Sequence, residues 1–259
     1  MGEAKRRGSR EQRASLARQL ETLKTQDRQA VSDFLSKGLA LEARILEQAK
    51  KIREQSKRNY FTEWLDARLI LLSIVKHLID AKSLVPGRTS EEITHILILL
   101  MAFFQGTYAT EILISEGQYI KAAAVLKQDY EIIARISEVH AGTAKPGQTP
   151  QLRHLAEEVR KYYGELNKVA HPSNQESLID LMGTLVSGKS NAISYVPLYH
   201  KESSLALYEL HVWLILIATQ EYLKLFAEMY GEEESALGES LVWFHDVIEM
   251  LKKVGFKFE

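Results

Sequence analysis

Asn167 and His171 stand four residues apart in the stretch Tyr163-Gly164-Glu165-Leu166-Asn167-Lys168-Val169-Ala170-His171-Pro172-Ser173. On an α-helix that spacing puts an amide and an imidazole on one face, about a turn apart. Pro172 must end the helix just beyond them. An amide that both donates and accepts, beside a ring that titrates near neutrality, can converge on a phosphate or a reactive hydroxyl. The pair can equally serve structure. A helix end leaves four carbonyls unpaired, and an imidazole there can bond one of them and face the negative end of the dipole. Tyr162 and Tyr163, with Arg160 one turn earlier, complete the candidate binding corner.

Three other patterns bear on chemistry. Arg135-Ile136-Ser137-Glu138-Val139-His140 pairs an Arg with a His five residues on, although Arg and His are also favoured near helix C-termini for dipole reasons. Gly183-Thr184-Leu185-Val186-Ser187-Gly188-Lys189-Ser190 matches the phosphate-loop pattern letter for letter. That motif works when a buried strand delivers the loop and a helix starts at the Lys-Ser. Here Asn191 to Tyr199 contains Pro197 and reads as extended or irregular, so a Gly/Ser loop is the better expectation. Glu92-Ile93-Thr94-His95 has di-iron ligand spacing but no second copy, and the remaining histidines form no zinc motif. No cofactor or metal is expected.

The pattern Tyr-x-x-Leu-Asn-x-x-Ala-His-Pro-Ser resembles the signature of an uncharacterised bacterial all-helical family. That family is in turn similar to the HEPN superfamily of helical bundles, many of them toxin or antiviral ribonucleases. The resemblance covers about residues 60–230. Nuclease members carry Arg-Asn-x-x-x-His at a helix end, and the resemblance implies an Arg that stabilises phosphate charge and a His that moves a proton at the RNA 2′-hydroxyl. Asn167 and His171 match, while Leu166 stands where the Arg belongs. Loss of a charge-stabilising group of that kind costs about 3–4 kcal/mol of transition-state stabilisation. Arg160 lies eleven residues before His171, roughly 16 Å along the axis.

The expected function is therefore a non-catalytic or degenerate HEPN-like binding protein, with bacterial stress or phage defence implied by the resemblance. The first alternative is a metal-independent endoribonuclease using His171, its missing cation supplied by Arg160, Arg153 or a second protomer. The second is an oligomeric structural scaffold. The partners expected are RNA or a nucleotide, and a protein partner or a second copy of the chain.

Helices must position these residues. Only 5 Pro and 14 Gly interrupt 259 residues, which favours long helices over many short strands. Tyr60 to Ser83 carries an apolar stripe of Trp64, Leu65, Leu69, Leu72, Val75 and Ile79 before Pro86-Gly87. Thr89-Ser90-Glu91-Glu92 reads as a capping box, Thr89 accepting and Glu92 reaching back, for a helix to Ser115. Gly117 marks a tight turn into a helix over Tyr119 to His140. Thr149-Pro150 fits the start of a helix ending near His171. Ser173 and Glu176 open a short one to Leu181 or Met182. An extended piece is expected at Ala192 to Val196, then helices over Ser203 to Tyr230 and Glu232 to Val254. Short turns imply antiparallel neighbours, so the fold expected is an all-α, HEPN-like antiparallel bundle over 59–259.

Residues 1–58 read as a basic, partly disordered helical arm, divided near Thr25 and Gly38. Residues 1–60 hold 15 Lys and Arg against 8 Asp and Glu, a net of +7, and the rest of the chain nets −8. Lys5, Arg6 and Arg7, with Arg10, Arg13 and Arg18, suit the phosphates of a nucleic acid. No strict heptad persists along the arm. Zero Cys excludes disulfides, thiolate metal sites and a thiol nucleophile, and suits a reducing, cytoplasmic setting. The tracts Ile96–Phe104 and Val212–Ala218 are shorter than the ~18–20 apolar residues of a spanning helix, so no membrane is expected.

Overall fold

Eight helices and one small ribbon make up the described part of this computed structural model, which covers residues 10–82, 85, 87–152, 157–170, 175–186 and 190–256. The elements are α1 (Arg10–Asn59), α2 (Thr62–Lys82), α3 (Glu91–Ser115), α4 (Tyr119–His140), α5 (Glu157–Ala170), α6 (Gln175–Met182), β1 (Gly183–Val186), β2 (Ser190–Ile193), α7 (Lys201–Tyr230) and α8 (Ser235–Lys253). The fold is an all-α helical bundle. The extended piece expected at 192–196 is an antiparallel hairpin instead, with Gly183 opposite Ile193 and Val186 opposite Ser190.

The chain divides into two units, Met1–Glu47 and Gln48–Glu259. In the first, α1 continues as one helix past Thr25 and Gly38. Thr22 and Thr25 donate their hydroxyls to the carbonyls of Arg18 and Glu21 at 2.9 and 2.8 Å, staying inside the helix rather than capping a new one. In the second unit, the last three turns of α1 are packed. Ala49, Ile52 and Ser56 are buried, and the Ser56 hydroxyl donates to the Ser115 carbonyl at 3.0 Å. Arg53 pairs with Glu116 beside it.

At the centre of the second unit is α7, packed against α2, α3 and α4, with α8 covering α2 and α5 covering α4. Its buried residues, Leu210, Val212, Leu214, Ile215, Leu216 and Phe226 among them, cover about two thirds of its circumference, as a helix packed against three others requires. Ser90, not Thr89, caps α3: its extended backbone aims the hydroxyl at the Ile93 amide, 3.0 Å away. Gly117, at φ +79°, turns α3 into α4, where a Cβ would lie 2.8 Å from the Leu198 carbonyl oxygen. Glycine meets both demands. At the N-terminal side of α5, Pro150 and Gln151 are not helical. Among the described residues α3 and α7 are each long and apolar enough to cross a membrane, beyond the shorter uninterrupted tracts within them; the apolar stretch of α7 is 67% buried in the bundle and that of α3 28%.

Polar groups lie inside this bundle. Arg68 on α2 and Glu111 on α3 pair at 2.9 Å, both largely buried. His211 on α7 is fully buried, and neither ring nitrogen has a hydrogen-bond partner among the described residues. Burial, then the neighbouring Arg68 charge, push its pKa down to about 3. Asp129 on α4 accepts from Thr110 at 3.3 Å, and burial lifts its carboxyl to about 7.

Candidate functional site on the α4–α5 face

Helix α5 is amphipathic, and its period decides which candidates share a face. Leu166 is 4% exposed and belongs to the hydrophobic core. Tyr162, one turn earlier, is 45% exposed and stands with Leu166 and Val169 on one wall of a cleft of about 320 Å³. The facing wall is Tyr119 with Leu207 and Leu210, and Asp180 and Ser203 supply polar groups. A second cleft, about 340 Å³, shares Tyr162, Ala206 and Leu210 and reaches Glu209 and Trp213. Burial holds the Glu209 carboxyl above the usual range.

Tyr163 and Asn167 lie about 100° further round the helix and meet α4 instead. Lys127 and Glu131, one turn apart on α4, receive them. The Lys127 ammonium donates to Asn167 Oδ1 at 3.0 Å and sits 5.6 Å from the centre of the Tyr163 ring. The Tyr163 hydroxyl donates to Glu131 Oε1 at 2.8 Å. Its pKa rises to about 12, from burial first and then from the Glu131 hydrogen bond and charge. The ring also tilts against buried Tyr130, centroids 5.5 Å apart. The four polar side chains form one ladder: amide, ammonium, phenol, carboxylate.

The corner read from sequence therefore divides between two faces. Tyr163 and Asn167 come together with Lys127, while Tyr162 turns to the cleft. Arg160 lies on α5, two turns before Asn167; its side chain, and His171, Lys5, Arg6 and Arg7, lie outside the described residues, as does Arg153. Lys127 and Glu131 were missed. Their spacing marks an ordinary helix-surface pair, and only the packing of α5 on α4 brings Lys127 to Asn167, forty residues later.

The competing motifs take structural places. Arg135 bonds Glu138 at 2.7 Å and the carbonyls of Lys145 and Gln148, while Glu138 accepts from the Gln151 amide at 2.7 Å. Together they clamp the loop after α4. His140 bridges Glu221 at 3.0 Å and Glu92 at 3.5 Å, so Glu92 faces this ring rather than the α3 cap. Ser190 begins a strand where the phosphate-loop pattern needs a helix, and Lys189 lies outside the described residues. No protein-family model, curated protein or solved structure matches this chain.

Proposed function

We propose that this chain is a non-catalytic, HEPN-like binding protein that engages a phosphate-bearing ligand, RNA or a nucleotide, through Lys127 and Asn167. The observation that carries this reading is the burial of Leu166 at the place where the nuclease resemblance requires an exposed Arg. A guanidinium there would have to leave the core to reach a phosphate. An ammonium 3.0 Å from an amide on an accessible face supports binding of an anion without bond cleavage. The bacterial stress or defence setting rests on the motif resemblance alone.

A second reading has one observation in its favour. Lys127 brings a cation to Asn167 from α4, which could replace the missing Arg of an endoribonuclease using His171. Fluorescence anisotropy with labelled single-stranded RNA and with a labelled nucleoside triphosphate, beside gels of RNA cleavage, separates the two. Binding that weakens with salt and falls about tenfold in Lys127→Ala, with no cleavage by any form, is the expected result. Cleavage lost in both His171→Ala and Lys127→Ala would establish the second reading instead. Equal binding by Lys127→Ala would remove the site.

A further inference from the structure

Residues 10–47 form a helix roughly 57 Å long whose large apolar side chains, Ile45 apart, are exposed. Leu16, Leu20, Leu23, Val31, Phe34 and Leu41 are 44–75% exposed and lie along one stripe of 3- and 4-residue steps, with Asp27 and Gly38 at its two other positions. Leu16 and Ile52 are 36 residues apart, ten turns at 3.6 residues per turn, so the stripe keeps the phase of the positions that are buried at Ala49 and Ile52. Within residues 16–41 the stripe is exposed.

The bare stripe is large enough to hold a dimer. Its side chains offer on the order of 100 Å² apiece, judged from the burial energy of a leucine. Six of them give about 600 Å², three quarters of the ~800 Å² per partner of a standard interface, with the flanking charged side chains to add to it. Charge speaks for a helical partner over a membrane or nucleic acid. Between Arg10 and Glu47 seven Lys and Arg alternate with six Asp and Glu, and Asp27 lies within the stripe itself. A mixed-sign helix flanking an apolar stripe is the pattern of helices that pair through salt bridges.

We infer that the arm pairs with the arm of a second copy of this chain, antiparallel across a two-fold axis. Orientation follows from two features. A parallel pair in register would set Asp27 against Asp27 in the apolar layer. On one shoulder of the stripe, the N-terminal half carries Lys24 and Arg28 and the C-terminal half Glu42. An antiparallel two-fold brings like shoulders together with ends reversed, so these opposite charges meet near a centre at Phe34. The 3.6-residue period, longer than the 3.5 of a coiled coil, makes the two helices run nearly straight.

Sedimentation equilibrium on the full chain tests this. Wild type should weigh twice the 29.5 kDa of one chain, and Leu20→Glu with Phe34→Glu, both exposed and harmless to the body, should raise the dimer dissociation constant more than about a hundredfold. With no native Cys, cross-linking reads the orientation cleanly. Leu23→Cys mixed with Ile45→Cys should form a disulfide, and Leu23→Cys alone should not. A monomeric wild type, a dimer indifferent to the double substitution, a Leu23→Cys homodimer, or a monomer that binds phosphatidylserine vesicles would each overturn the inference.

Discussion

Two polar clusters in the bundle use the same kinds of side chain under opposite conditions. Arg68, Glu111, Asp129 and His211 lie within the bundle, where water cannot substitute for a lost partner. Lys127, Asn167, Tyr163 and Glu131 lie along the rim between α4 and α5, where it can. Burial makes the first set expensive to alter and shifts the pKa values of Asp129 and His211. The second holds its geometry with little commitment of folding energy, which is the condition for a ligand to replace one of its contacts. By that criterion the ligand-facing cluster is the weaker one.

Breaking the buried pair should give the largest effect. Glu111→Ala leaves Arg68 without its counter-charge, its Nε already without a partner among the described residues, and should destabilise by about 3–5 kcal/mol in urea unfolding. Loss below about 1 kcal/mol would mean that water reaches the pair and that the two clusters differ less than burial indicates.

Asp129 and His211 sharpen the comparison through pH, because their slopes oppose. Asp129 rises from 3.8 unfolded to about 7 folded, so its contribution is fully present below pH 3.8 and lost as pH rises through 7. His211 falls from 6.5 unfolded to about 3 folded. The unfolded chain then takes a proton that the folded one refuses, and stability is lost as pH falls from 6.5 toward 3. In wild type the two partly cancel between pH 4 and 6.5. Asp129→Asn should uncover loss of stability on acidification through that window, and His211→Leu should uncover loss as pH rises from 4 to 7. Each slope should approach about 1.4 kcal/mol per pH unit. Urea titrations across that range that remain parallel to wild type would show that neither group carries a shifted proton.

What the sequence made legible follows from how local each signal is. Helices α3 and α4 end where Gly117 and the Gly142–Gly147 loop place them, since turn residues and apolar period are read within a few positions. The division of α1 at Gly38 did not occur: a Cβ there would meet open space, so no neighbour demands the glycine, and a lone helix glycine costs only about 1 kcal/mol against alanine. The spacing of Asn167 and Tyr163 was legible as one side of a site. Lys127 was not, because its contact depends on α5 lying along α4. Leu166 illustrates the same divide. Its identity announced the missing cation, but its place in the core emerges only once Leu166 and Val169 are seen packed inward, with Tyr162 beside them at the cleft.

The smallest effect belongs to the rim. Tyr163→Phe keeps the ring that packs on Tyr130 and that Lys127 faces, and removes only the hydroxyl that donates to Glu131. Glu131 is half-buried with access to water, so the loss should be about 0.5–1.5 kcal/mol by thermal or urea unfolding. The more telling readout is anion affinity. With its phenol partner gone, the Glu131 carboxylate becomes a stronger competitor for the Lys127 ammonium one turn away, and binding of an RNA or nucleotide phosphate should weaken two- to threefold, about 0.5 kcal/mol. If Tyr163→Phe instead cost as much stability as Glu111→Ala, the rim ladder would be a piece of the core, and the contrast that singles out Lys127 and Asn167 would dissolve.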